Sequence, residues 1–365
     1  MDKIAEIWDR VQRSLFPHLR DCLPDMTDEH MRLATILEVI RIEDHVPPSW
    51  AGWYGRKPKD RKALARAFVA KVVYKMPTSK ALVERLRVDK NLRVLCGWEY
   101  PGQVPSESTF SRAFEEFAKA GLLDRVHEAL VKHYLGDEVV WHVSRDSTAI
   151  EARERPVRKQ EKKPSQSKPK RKRGRPKKGE ERPPTDEKRL ARQRRQTAEE
   201  ALSELPTECD IGTKVDAKGH KITWCGYKFN LDVVDGDLPV LAVTTSASLH
   251  DNQPAIPMMK RTAERVPSLY DLMDSAYHAK DIREVSLELG HVPIIDANRR
   301  RGSVPPMEPD RARRYRNRSS SERVNSRLKD DCGGRNVRVR GAPKVHTHLM
   351  FGVLVIFAEA LLALA

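Results

Sequence analysis

The chain of 365 residues has few of the features that mark a secreted, disulfide-bonded or membrane-spanning protein. Its five cysteines (Cys22, Cys96, Cys209, Cys225 and Cys332) are scattered, odd in number and without a CxxC pair. That excludes a disulfide framework and a closely spaced zinc motif, and fits a reducing compartment. The N-terminal MDKIAEIWDRVQRSL contains acids and has no continuous apolar core, so it does not read as a signal peptide. The apolar run from Leu349 is broken by Glu359, which predicts a core helix and no membrane partner. Hydrophobic residues make up only 39% of the chain against 33% charged, so part of it is expected to remain solvated.

Acidic residues are scarce in two places. Arg153–Thr197 holds 20 Lys or Arg and 6 acids, and Arg299–Arg340 holds 14 and 5. The net charge of the whole is +16, so everything outside these blocks is net acidic. Two basic blocks on a mildly acidic body point to a polyanionic partner, above all nucleic acid.

Residues 1–135 show apolar periodicity of helical type in Met31–Ile42, Lys62–Tyr74, Ser79–Leu86 and Thr109–Leu135, with Ser106 placed as a cap. An all-α unit follows, able to lay a helix in a major groove or to serve as an accessory or dimerisation domain. At Glu138 the pattern turns to β, and residues 136–152 read as a first strand ending abruptly at Arg145-Asp146-Ser147-Thr148. Residues 153–200 are rich in Lys, Arg and Pro and read as a disordered insert. Within it Arg173-Gly174-Arg175-Pro176 resembles an AT-hook, so Arg173 and Arg175 either enter an A·T-rich minor groove or attract phosphates generally.

Residues 201–365 continue the β pattern. KITWCGYKFNLDVV and PVLAVTTSAS form a hairpin about Asp235-Gly236-Asp237, and those acids serve the turn. A helix after His250-Asp251-Asn252, a strand ending at Asp274, a helix over Lys280–Gly290 and the strand HVPIIDAN follow. This order predicts an α/β ribonuclease-H-like domain, a mixed five-stranded sheet flanked by helices. The stretch Arg311–Asp331 lacks Pro and Gly and predicts one helix. At about 100° per residue, Tyr315, Arg318, Glu322 and Lys329 share a stripe about 60° wide.

In such a sheet Asp146 and Asp274 end adjacent strands, and Glu322 can face both. Three carboxylates with few local counter-charges call for cations, and hard oxygen ligands select Mg²⁺ or Mn²⁺. Two such ions about 4 Å apart suit in-line displacement at a phosphodiester.

Here the chain resembles the DDE transposases of bacterial insertion sequences. The likeness rests on Asp146-Ser-Thr, on His250-Asp251, on Asp274-Ser-Ala-Tyr277 and on the Tyr-x2-Arg-x3-Glu-x6-Lys spacing of Tyr315, Arg318, Glu322 and Lys329. GRKPKDRKALARAFVAK and VPSESTFSRAFEEF in turn resemble the helical N-terminal domain of these elements. The resemblance implies metal-dependent strand cleavage and 3′-hydroxyl strand transfer, with Asp146, Asp274 and Glu322 as catalytic metal ligands. It implies that Tyr315, Arg318 and Lys329 hold phosphates or a flipped base at the element ends. It further implies that the N-terminal domain binds terminal inverted repeats, that target duplex DNA is the second substrate, that the protein dimerises on DNA, and that it works in the bacterial cytoplasm. The interval of 48 residues from Asp274 to Glu322 leaves no room for the large insertion domain of some relatives.

Other acids compete. Asp296 ends a strand but lacks the Asp-x-x-Tyr context, Asp251 reads as a helix cap, and Glu151 reads as surface. His278, His291, His346 and His348 do not cluster at ligand spacing. Two further readings are a DNA-binding derivative without catalysis and a ribonuclease-H-like nuclease without strand transfer.

Overall fold

β-Branched and apolar residues from Val140 onward build the central sheet, and the computed structural model places helices on either side of it. The structure describes residues 6, 9–23, 25–47, 58–157, 187–215, 219–297 and 306–364. Before the sheet come α1 (Phe16–Cys22), α2 (Asp28–Ile40), α3 (Arg61–Val73), α4 (Ser79–Val88), α5 (Lys90–Cys96), α6 (Glu107–Lys119) and α7 (Leu122–Leu135). Side-chain caps start several of them. Thr27, Asp60, Thr78 and Asp89 accept from backbone N–H groups in the first turns of α2, α3, α4 and α5. Ser106 occupies the cap position of α6 but its hydroxyl makes no capping bond. The stretch Thr109–Leu135 is two helices and not one, because Gly121 takes a left-handed φ of 57° between them.

The sheet has six strands, not five: β1 (Val140–Glu151), β2 (Asp210–Val215), β3 (Lys221–Val234), β4 (Leu238–Ser246), β5 (Ser268–Met273) and β6 (Val292–Ile295). Their order is β2-β3-β1-β5-β6, with β4 also paired to β3. β1 is antiparallel to β3 and parallel to β5, and β5 is parallel to β6. The additional strand is β2, a short and largely exposed segment that pairs with the first half of β3. β1 does not end at Asp146. Its pairing with β5 stops at Arg145 opposite Met273, while its pairing with β3 continues to Glu151 opposite Gly226.

Helices α8 (Arg189–Arg195) and α9 (Ala198–Ser203) lie between β1 and β2. The stretch 153–200 is therefore not unstructured throughout. Lys260 Nζ donates to the carbonyls of Gln193, Arg194 and Gln196, and Arg194 pairs with Glu284 and Glu288, which fixes this segment to α10 (Ala255–Ala263) and α11 (Lys280–Glu288). Arg173 and Arg175 lie outside the described residues.

The stretch Arg311–Asp331 is likewise not a single α-helix. It is α12 (Pro309–Tyr315), a 3₁₀ turn (Arg316–Arg318) and α13 (Ser319–Asp330). Ser321 Oγ donates to the Arg318 carbonyl at 2.9 Å, and Ser144 Oγ lies 2.9 Å from the same oxygen. Hydroxyls that take a helical carbonyl compete with the i→i−4 ladder and tighten the turn.

The last helix, α14 (Ala342–Ala363), carries the apolar C-terminal run and is almost wholly buried. It is the one described helix long and apolar enough to cross a membrane, and it is packed within the fold. It touches α2, α3, α6, α7 and β4. Phe68 of α3 meets Phe110, Phe114 and Phe351 at ring centroid distances of 5.6, 5.2 and 5.5 Å. One hydrophobic core thus runs from Leu33 and Phe68 through Phe351 to Phe229 of the sheet, with no break at residue 135. Glu359, the one acid of α14, accepts from Arg32 Nε at 2.7 Å and from Arg327 at 2.6 Å.

Candidate functional site

Register sets the site. Arg145 pairs with Met273 and Met273 with Ile295, so Asp146, Asp274 and Asp296 follow side by side at the ends of the parallel pairing of β1, β5 and β6. Asp274 accepts from Ala276 N–H at 2.9 Å and so caps a 3₁₀ turn over Ser275–Tyr277. Asp146 accepts from the Asn325 side-chain amide of α13 at 3.1 Å. Asn325 is buried, and its own amide oxygen has no partner among the described atoms.

Desolvation pushes the Asp146 carboxyl up to about 6, with the Asp274 and Asp251 charges acting the same way and Arg318 opposing. Burial likewise raises Asp274, helped by Asp251 and Asp296. Both carboxylates therefore sit where negative charge is poorly compensated. Asp251 is not a helix cap, since α10 begins only at Ala255. Its carboxylate instead accepts from Ser147 Oγ at 2.8 Å and Lys228 Nζ at 2.7 Å, which ties it to β1 and β3 beside the two acids. Tyr277 is fully buried near Asp251, Asp146 and Asp274, and its hydroxyl has no partner among the described atoms.

The stripe of α12 and α13 meets this row of acids. The Arg318 guanidinium lies 5.8 Å from the centre of the Tyr315 ring and forms an ion pair with Glu322. Burial pushes the Tyr315 phenol up to about 12, with Asp296 and Asp274 adding to the shift. Burial lowers Lys329, as do Lys214 and Arg335, while the Asp146 charge acts in the opposite direction. Tyr315, Arg318 and Lys329 therefore all feel the acid row. Glu322 is more than half exposed and is held by Arg318. Glu151 ends β1 on the surface.

A second ionic layer lies beneath. Arg145, only 1% exposed, donates to Asp232 at 2.6 Å and lies 3.9 Å from Asp271. Thr262 also donates to Asp232, while Ser286 donates to Asp271 and His291 lies 3.0 Å from it. Reading the residues in order does not find this layer, because its members are dispersed along the chain. Asn325 is within reach of such a reading, since it stands one helical turn after Glu322.

Among the described residues no three His, Cys, Asp or Glu side chains gather closely enough to hold a metal ion. The donor set nevertheless suits a hard divalent cation. Asp146 and Asp274 are adjacent, poorly compensated carboxylates, while Glu322 stands on α13 in an ion pair with Arg318.

A family model described as a transposase DDE domain matches residues 141–358, more than half of the chain. A second, described as a transposase domain (DUF772), matches residues 18–116. Comparison with curated proteins and with solved structures gave no match.

Proposed function

The chain belongs to the transposase DDE domain family of insertion sequences, and from that premise we propose that it cleaves strands at the ends of its element and joins the freed 3′-hydroxyl to target DNA. The observation that carries this reading is the placing of Asp146 beside Asp274 by the Arg145–Met273 register, opposite a helix whose Arg318 and Lys329 charges face Asp146. A ribonuclease-H-like fold fits the same strand order.

In this mechanism Asp146, Asp274 and Glu322 would hold a divalent cation, Mg²⁺ with Mn²⁺ as substitute. The chemistry such a cation would supply is neutralisation of the carboxylates and activation of an attacking oxygen. Arg318, which pairs with Glu322, would offer its guanidinium to a phosphate of the DNA. Tyr315 supports Arg318 through its ring, and Lys329 supplies a point charge to the same strand. The N-terminal helices bind the terminal inverted repeats, residues 158–186 with Arg173 and Arg175 grip flanking DNA, and two copies act together in the bacterial cytoplasm.

The test is cleavage of DNA bearing the element ends, with and without Mg²⁺. Asp146→Ala, Asp274→Ala and Glu322→Ala should each abolish nicking while end binding stays near wild type. Cleavage retained by any of the three removes that residue from the site. Cleavage without joining of 3′ ends to a target duplex would leave a nuclease.

A further inference from the structure

A cleft of about 220 Å³ opens beside Lys329, between the C-terminal turn of α3 and the Asp330–Asn336 connection that follows α13. Four cations line it: Lys71 from α3, Lys75 just after α3, and Lys329 and Arg335 from the C-terminal part, while the Lys214 charge acts on Lys329 and the Arg338 charge on Lys71. Two of them are neutralised, since Lys75 pairs with Asp331 and Arg335 with Asp330. Lys71 feels no carboxylate charge, and Lys329 forms no ion pair among the described residues although the Asp146 and Asp330 charges act on it.

Lys71 is the unexpected member. It is half-buried, and burial together with Arg338 lowers its ammonium pKa. The neighbouring His348 relieves nothing. Burial and Lys71 hold its imidazole down to about 4, and one ring nitrogen lies 3.2 Å from the Gly333 carbonyl. A lysine stem so placed, with no anion to meet, costs stability unless something outside the chain supplies the charge. The cleft is smaller than an ordinary small-molecule site, of about 300–1,000 Å³, and its lining mixes charged side chains with Val72, Met76, Pro77 and Cys332. It suits one tetrahedral anion on a larger ligand.

We infer that this cleft binds a backbone phosphate of DNA, with Lys71 and Lys329 as its ligands, so that a helix of the N-terminal region and the helix facing the acids grip one strand together. The inference rests on the transposase reading above and adds Lys71 and α3 to the DNA path. A strand held here passes Lys329 on its way to Asp146. The cleft therefore orients the strand relative to the acid row.

The experiment is the salt dependence of duplex binding by the full-length protein. In Lys71→Met, which removes one phosphate ligand, the slope of log affinity against log salt should flatten by about 0.9. Lys71→Arg, which keeps the charge, should restore the wild-type slope. Lys71→Gln provides a second neutral variant, and both are read at temperatures where they remain folded by near-UV circular dichroism. An unchanged slope in the neutral variants overturns the phosphate site and leaves the transposase reading standing. A wild-type protein that does not bind duplex DNA overturns both.

Discussion

The Asn325 side-chain amide donates to the Asp146 carboxylate at 3.1 Å, a hydrogen bond that joins α13 directly to the acid row. It orients a carboxylate that desolvation already disfavours. Asn325→Ala should lower strand cleavage by about 10–100-fold, the usual effect of losing a group that orients a metal ligand, with end binding retained. Cleavage at the wild-type rate would show that the hydrogen bond has no role.

Asp146→Asn should raise the melting temperature at pH 8 in the absence of divalent ions. The folded-state pKa of about 6 lies above the ordinary 3.8, so the penalty on the ionised form develops as pH rises from 3.8 through 6 and is complete above that window. Below pH 4 the two proteins should melt together. Mg²⁺ at about a hundred times its dissociation constant should stabilise the wild type by about 2.7 kcal/mol and leave Asp146→Asn unmoved. Equal stabilisation of both would place the cation elsewhere.

Arg145→Met should be among the most damaging single changes. It leaves Asp232 and Asp271 buried without their shared cation, which costs roughly 3–5 kcal/mol when one partner of a buried pair is removed. Adding Asp232→Asn should recover part of the loss in urea unfolding. No recovery would mean that Arg145 acts through packing alone.

Acid should weaken the fold through His127. Burial holds its imidazole down to about 4 against 6.5 unfolded, and one ring nitrogen lies 2.7 Å from the Pro239 carbonyl. The unfolded chain takes up the proton first, so this stability is intact above pH 6.5 and is lost as pH falls towards 4. The loss is on the order of 3 kcal/mol. His348 acts in the same direction, and His346, raised by Asp124, acts against it. His127→Gln should flatten the fall of melting temperature between pH 6.5 and 4; an unaltered slope would assign the acid sensitivity to other groups.

Residues 158–186 carry 13 Lys or Arg against 4 acids. Their deletion, which spares α8, should flatten the salt dependence of duplex binding well beyond the effect of a single lysine. An unchanged dependence would mean that this stretch does not touch DNA.

Much of this arrangement is legible in the residue order, and the exceptions have physical causes. Alternation and caps locate most helices and strands, and the helical stripe brings Tyr315, Arg318 and Glu322 into contact despite the 3₁₀ turn between them. The end of β1 is hard to read because Arg145-Asp146 interrupts an apolar strand. The strand runs on because Asp232, from β3, neutralises Arg145 inside the sheet. No local pattern announces a partner that arrives from a distant strand. β2 escapes the alternation pattern because Asp210–Val215 is short, mostly exposed and chosen by its pairing with β3 rather than by its own propensity. Asp251 looks like a cap from its neighbours, whereas its partners Ser147 and Lys228 come from two strands.

The packing of α14 bears on how the chain is made. α2, α3, α6 and α7 leave the ribosome long before α14, yet Phe68 and Phe114 pack on Phe351. The nascent N-terminal helices therefore carry an uncovered apolar face through most of translation, a state prone to aggregation. Premature termination anywhere before Ala342 would leave that face without its cover, so a shortened product should be cleared or precipitate rather than persist as a free competitor for DNA.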